Sequence, residues 1–481
     1  MKIIQTFWTA GQDPLKHSFG WTHPEYNLMS WALSCLSLRE HYDEVELYTD
    51  SAGYHILIEV LQLPYTKTHV IFDDFQCLPH HWALSKIKTY SLQTEPFLHI
   101  DGDIYLPRPL PERVLNAPLV AQNREIGTTY YRRMMDLGVL KHPSIILPKY
   151  IENTIREDSI ASYNMGVFGG TDLDFIQKYC KEVFNFMETN EMNNPLIPHS
   201  HVNCNVFFEQ AIFAAIADQE KRTVEDITGY PVNDNGYTIN EFCDLKFYEQ
   251  KNFFHILGGH KGNSYILGMF GKCMLNMYPK EYINILSLFP YINNRFCESP
   301  DVLFRGCYLK EYEECYHQRR TEVKNITIEE LIHWEHLSWE STRLFNMEEK
   351  EQFDIVLKCN PWIMIWEVPS SCTKEERKNL QVRLQCNIKH PIEYIIFWPT
   401  LHGSGVNEKA STTLERQILL KIKEKEIKLG SLFKWLTDKY KLEKESDIEA
   451  IHYCVKDIII DFTERGIICI PEIICIISQC L

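Results

Sequence analysis

Three short apolar-rich runs punctuate the first 275 residues: Lys2–Phe7, Val45-Glu46-Leu47-Tyr48-Thr49-Asp50 and Phe97-Leu98-His99-Ile100. Between them, residues 26–39 and 82–92 carry apolar side chains at helical spacing. Parallel neighbours need a crossover, so strands alternating with helices imply a mostly parallel sheet with helices on both faces. Short, strongly apolar strands are those of a sheet buried on both sides. The expected fold class is therefore α/β over residues 1–275.

The rest of the chain reads differently. Over residues 276–389 a mainly helical spacer or accessory subdomain is expected, with helical spacing at 283–289 and 328–339, a strand at 362–368, and no chemical motif. After Gly403-Ser404-Gly405, Leu414, Ile418 and Ile422 mark one amphipathic helix. Gly430-Ser431 opens a second, with Leu432, Trp435, Leu436 and Tyr440 on one face. A third carries Ile448, Ile451, Val455, Ile458 and Phe462, and Gly466 stands where a left-handed cap belongs. Two apolar runs follow, 467–470 and 473–477, split by Pro471. Three helices and a terminal hairpin predict a small winged-helix-like domain over 390–481. The charged run 421–428 reads as a solvated face.

Composition bears on partners. A formal charge of −16 argues against a nucleic-acid partner and against attachment to anionic lipid. The first residues are too short and polar a run for a secretory signal, and no apolar run approaches the ~18 residues of a membrane span. The sixteen cysteines include no C-x-x-C pair, and several sit within apolar patterns. A reduced, cytoplasmic protein is expected.

The sharpest chemical feature follows the third strand: Ile100-Asp101-Gly102-Asp103-Ile104-Tyr105. An apolar strand delivers two carboxylates, one residue apart, at its C-terminal end, the edge where open α/β sheets bind ligands. Hard oxygen ligands suit Mn²⁺ or Mg²⁺, which can neutralise a departing diphosphate. A solvated acidic turn would carry the same triplet.

Further pieces flank it. Leu84-Ser85-Lys86-Ile87-Lys88-Thr89-Tyr90-Ser91-Leu92 lies upstream; Phe254-His255-Ile256-Leu257-Gly258-Gly259-His260-Lys261 lies downstream. Here the sequence resembles glycosyltransferase family 8, the group of glycogenin and bacterial lipopolysaccharide galactosyltransferases. That family has L-[ST]-K-[LI]-x-x-[WY]-x-L before its D-x-D and H-x-L-G-x-x-K after it. Tyr163-Asn164-Met165-Gly166-Val167-Phe168 is similar to its F-N-S-G-[VL]-F stretch, and Phe208-Glu209-Gln210-Ala211 stands where it has D-Q. The resemblance spans about residues 1 to 270.

The resemblance implies a GT-A, Rossmann-like domain acting as a retaining hexosyltransferase on a UDP-sugar. Asp101, Asp103 and His255 would hold the ion. Lys86, Gly258 and Lys261 would serve the phosphates. Asn164 would contact the sugar, Glu209 would hold its hydroxyls, and Gln210 would lie below the anomeric carbon. Phe7-Trp8-Thr9-Ala10 stands where the family has its uracil-binding segment without clearly matching it; a base stacked on Phe7 or Trp8, with Thr9 beside it, and simple core packing are both open. The sequence departs from the family in two places. Gly262-Asn263 replaces Pro-Trp after the final lysine, and Glu209 replaces aspartate. A nucleotidyltransferase or hydrolase on a similar sheet, or a sugar-nucleotide-binding protein without transfer, are the alternatives.

Residues 432–440 and 458–468 resemble the winged-helix domains of the PqqD type, which bind leader peptides in ribosomal-peptide modification. That resemblance implies a peptide acceptor, recruited as a strand added to a sheet edge. Generic winged-helix and helical oligomerisation domains share the same hydrophobic spacing.

Overall fold

The computed structural model describes residues 1–141, 144–152, 154–156, 160–194, 203–234, 236–289, 310–322, 325–343, 352–384, 392–400 and 406–471. The chain forms two compact units, Met1–Lys261 and Gly262–Leu481.

The first unit is built on a seven-stranded, mostly parallel sheet of order β3-β2-β1-β4-β7-β6-β8. Its strands are β1 (Lys2–Phe7), β2 (Val45–Thr49), β3 (Lys67–Val70), β4 (Phe97–Ile100), β6 (Val120–Thr128), β7 (Ile160–Gly170) and β8 (Glu225–Asp226); β5 (Ile104–Tyr105) and β9 (Phe254–His255) pair apart from it. The strands β3, β2, β1 and β4 are parallel, β7 runs antiparallel to β4 and β6, and β8 is parallel to β6. The helices are α1 (Pro24–His41), α2 (Ser51–Tyr54), α3 (Ala83–Ser91), α4 (Glu112–Leu115), α5 (Thr129–Leu137), α6 (Leu173–Thr189) and α7 (Ile212–Gln219).

Successive strand residues point to opposite faces, and the core divides accordingly. Ile4, Phe97, Ala121 and Phe168 pack with Ile87 of α3 and with Ile176 and Tyr179 of α6. Ile3, Leu98, Val120 and Val167 pack on the other face with Leu38 of α1 and Val114 of α4. Helices thus cover both faces, as the strand–helix alternation predicts. Local signals set the helix ends: Pro24 opens α1, and the Asp172 side chain caps α6 by accepting from the Phe175 amide at 3.1 Å.

The second unit begins with the helix Ser264–Met277, which the sequence expectation placed in the first domain. Strands β10 (Val356–Cys359) and β11 (Met364–Glu367) lie within the expected spacer, yet both pair with later segments. β10 pairs with β14 (Ile427–Lys428) and β15 (Ile468–Cys469), and β11 with β12 (Tyr394–Pro399), itself joined to β13 (Val406–Ser411). The three expected amphipathic helices are Thr413–Glu424, Leu429–Tyr440 and Glu445–Glu464. Their buried residues Ile418, Leu432, Leu436, Val455 and Phe462 share one core with Leu357 and Ile468. Gly466 has φ +75°, and its carbonyl accepts from Trp334 Nε1 at 2.6 Å. The apolar run 473–477 and the Gly403-Ser404-Gly405 linker lie outside the described residues. Among the described residues no helix is long and apolar enough to cross a membrane.

Candidate functional site

Because β1, β2 and β4 are parallel, the segments after Phe7, Thr49 and Ile100 leave one edge of the sheet together. β7 reaches that edge from the opposite direction: Ile100 pairs with Val167, and the Asp101 amide donates to the Gly166 carbonyl at 2.8 Å. β5 pairs with β9 with Ile104 opposite His255, and this short pairing carries residues 254–261 alongside Asp103. Two glycines make the approach possible. A Cβ at Gly102 would sit 2.6 Å from the Trp31 ring, and one at Gly166 would sit 2.9 Å from His255 Cε1.

The two carboxylates have separate partners. Asp103 Oδ2 lies 2.7 Å from Lys261 Nζ, and its Oδ1 lies 3.4 Å from His255 Nε2. Burial works against the Asp103 charge, but Lys261 and His255 hold its carboxyl well below the usual range. Asp101 Oδ1 lies 2.8 Å from Lys86 Nζ, which also meets Glu209 Oε1 at 2.6 Å. Burial pushes the Asp101 carboxyl up; Lys86 opposes the rise and Asp103 adds to it. Glu209 is only 1% exposed, and burial pushes its carboxyl up to about 7 against the pull of Lys86. Burial opposes the Lys86 charge too, yet Asp101 and Glu209 keep its ammonium above the ordinary value.

His255 is oriented from behind. Its Nδ1 lies 2.7 Å from Gln122 Oε1, which can only accept. Nδ1 therefore carries a proton, and Nε2 faces the Asp103 carboxylate. Nε2 and the Asp103 carboxylate oxygen thus face each other across 3.4 Å as two donors that one cation could share. Two atoms bound side by side to one octahedral ion at ~2.1 Å would lie about 3 Å apart. The donor set thus fits a hard divalent cation. Asp101 points instead to Lys86, and no three metal-ligating side chains form a ready-made cluster among the described residues.

The remaining expected residues line the same cleft, of about 1580 Å³. That exceeds the ~300–1,000 Å³ of common small-ligand pockets, leaving room for two ligands side by side. Trp8 is half-buried, edge-on to Phe75 with ring centroids 5.3 Å apart. Thr9 is buried, and its amide and hydroxyl both donate to Asp50 Oδ2, at 2.8 and 2.7 Å. Gly258 opens an exposed turn with φ +53°. Lys261 Nζ also lies 5.5 Å from the Trp21 ring centre. Asn164 Oδ1 accepts from the Gly166 amide at 3.0 Å, and Gln210 Oε1 and Glu125 Oε2 share the single proton of the Tyr131 hydroxyl. Lys86, expected to serve phosphates, is buried and engaged by Asp101 and Glu209.

Sequence reasoning passed over Gln122, Glu125, Tyr131 and Tyr237. Gln122 and Glu125 sit on β6 in no recognisable pattern; Glu125 comes here by pairing with Ser162 of β7, and Gln122 through the irregularity between Ala121 and Asn123.

The chain belongs to the DUF6734 family, described as a family of unknown function, whose sequence model matches residues 1–288. No curated protein matches the chain.

Proposed function

We propose that the Met1–Lys261 unit is a GT-A glycosyltransferase domain that moves a hexosyl group from a UDP-sugar with retention of configuration. One observation carries this reading: Asp103 meets His255 and Lys261, which lie far from it in sequence, within 3.4 Å at the sheet edge where β4 ends. Asp103 and His255 would hold a Mn²⁺ or Mg²⁺ ion, with Asp101 completing the set on turning from Lys86, and the bound ion would neutralise charge on the departing diphosphate. Lys261 adds a positive charge beside the phosphates, and Trp8 offers a ring to the base. Asn164 and Gln210 orient the sugar. Lys86 spaces Asp101 from Glu209, so both carboxylates keep fixed positions in the wall. The acceptor hydroxyl bonds to the anomeric carbon as the bond to the diphosphate breaks, and its proton leaves with the diphosphate oxygen. Room for two ligands in the cleft favours transfer over nucleotide binding alone. A ¹H NMR time course with a UDP-hexose and Mn²⁺ tests the reading. The first product should keep the donor's anomeric configuration; an inverted first product contradicts retention.

The acceptor reading rests on the second unit. β11 and β13 are the outer strands of its β11-β12-β13 sheet, and an outer strand offers backbone groups to which a peptide can add. We propose that a ribosomal peptide is recruited there. Hydrogen–deuterium exchange with the natural acceptor peptide should then protect β11 or β13; protection confined to the cleft of the first unit would contradict it.

A further inference from the structure

Resting on the glycosyltransferase reading, we propose that Glu125, braced by Tyr131 and Tyr237, reads the hydroxyl groups of a neutral sugar and turns away acidic ones.

The family resemblance implies that task for Glu209, but Glu209 is 1% exposed and its carboxylate meets the Lys86 ammonium at 2.6 Å. Glu125 is also buried, at 7% exposure, but its described partners are hydroxyl groups and the Asn164 amide, not a lysine. It lines the same cleft as Asp101, Asp103 and Lys261. The Tyr237 hydroxyl donates to its Oε1 at 2.6 Å, and the Tyr131 hydroxyl meets its Oε2. Burial, and then the Glu125 charge itself, push both phenols up, so both stay protonated: Tyr237 donates to Glu125, and Tyr131 shares its one proton between Glu125 and Gln210. A carboxylate has about four lone-pair directions. The two tyrosines and the Asn164 amide take three of them, and one remains for a donor arriving from the cleft.

The brace is tied to the residues already placed around the sugar. Tyr237 also accepts from Asn164 Nδ2 at 3.1 Å and from Asn123 Nδ2 at 2.9 Å. Asn164 in turn holds the Gly166 amide, next to His255. Tyr131 reaches Gln210. One hydrogen-bonded wall therefore runs from the ion site to Glu125, and it fixes where hydroxyls can bind. Its charge sets the ligand class. Asp101 and Asp103 each face a lysine, whereas the described contacts of Glu125 are phenols and an amide, so a uronate's carboxylate brought to Glu125 would meet a carboxyl group that no lysine offsets, while a hydroxyl finds an acceptor.

The test is calorimetric, with the full chain and Mn²⁺, using UDP, UDP-glucose, UDP-galactose and UDP-glucuronate as probes. UDP-glucose or UDP-galactose should bind on the order of tenfold tighter than UDP-glucuronate, as one charged hydrogen bond allows. In Glu125→Gln that ratio should fall severalfold while UDP binds as before. If Glu125→Gln fails to fold, Tyr237→Phe carries the same test, since it frees one carboxylate oxygen from its brace and must shift the ratio. No discrimination by the wild type, or a ratio unmoved in folded variants, overturns the proposal and leaves the glycosyltransferase reading standing. Failure of the wild type to bind UDP at all overturns that reading, and this one with it.

Discussion

His255 and Gln122 are joined by a 2.7 Å contact between Nδ1 and Oε1, and this contact fixes which nitrogen faces Asp103. Partners behind a metal-binding histidine commonly change affinity by about 10–100-fold. Gln122→Leu should therefore weaken Mn²⁺ binding by about tenfold or more in an electron paramagnetic resonance titration, with the fold retained. Unchanged Mn²⁺ affinity would show that the contact does not orient a ligand.

Gly166 sits where the same histidine packs. An added methyl would lie 2.6 Å from Gln122 Oε1 and 2.8 Å from Ile104 Cδ1. Overpacking of this kind costs about 1–3 kcal/mol. Gly166→Ala should lower the melting temperature and weaken Mn²⁺ binding together, although it replaces no ligand. A loss of stability with full Mn²⁺ affinity would separate the packing from the ion site.

Lys86 is the one ammonium beside Asp101 and Glu209 in the described contacts. Removing one partner of a buried ion pair costs about 3–5 kcal/mol, because the other charge stays buried. Urea unfolding of Lys86→Met should show a loss of that order at neutral pH, smaller at acid pH where the carboxyls take up protons. A change within ~0.5 kcal/mol would mean that Lys86 is peripheral.

One ammonium cannot neutralise two buried carboxylates, so the deeper one, Glu209, is pushed from 4.5 to about 7. Between those values the folded state holds a proton that the unfolded state has lost. The stability this gives is present below the unfolded pKa and disappears as pH rises through about 7. The term is on the order of 3 kcal/mol. Thermal melts from acid to mildly alkaline pH should find Glu209→Gln gaining on the wild type as pH rises. A constant difference would place the Glu209 carboxyl in the ordinary range.

Much of the first unit could be read along the chain. The strands Lys2–Phe7 and Phe97–Ile100 and the helix over 83–91 are local: runs of Ile, Phe and Leu, or apolar residues at helical spacing, declare themselves. Asp101, Asp103, His255 and Lys261 stood out because each belongs to a short pattern. Gln122, Glu125 and Tyr237 did not, because their positions depend on β6–β7 register and on the irregular stretch before β9. For the same reason Lys86 was visible but its two carboxylate partners were not. In the second unit the three helices follow from apolar spacing, while β10 and β11 find partners far along the chain that no local pattern announces.

The central claim is that this cleft breaks the bond between a sugar and a nucleoside diphosphate with the help of a divalent cation. Its most direct measurement is UDP release from a panel of UDP-sugars, run with Mn²⁺, with EDTA, and with Asp103→Ala. The wild type with Mn²⁺ should release UDP slowly, and release should be suppressed by EDTA and lowered at least a hundredfold in Asp103→Ala, as loss of transition-state charge stabilisation of about 3 kcal/mol or more implies. Release that is equally fast in EDTA and in the variant, or no release from any UDP-sugar, would contradict the claim.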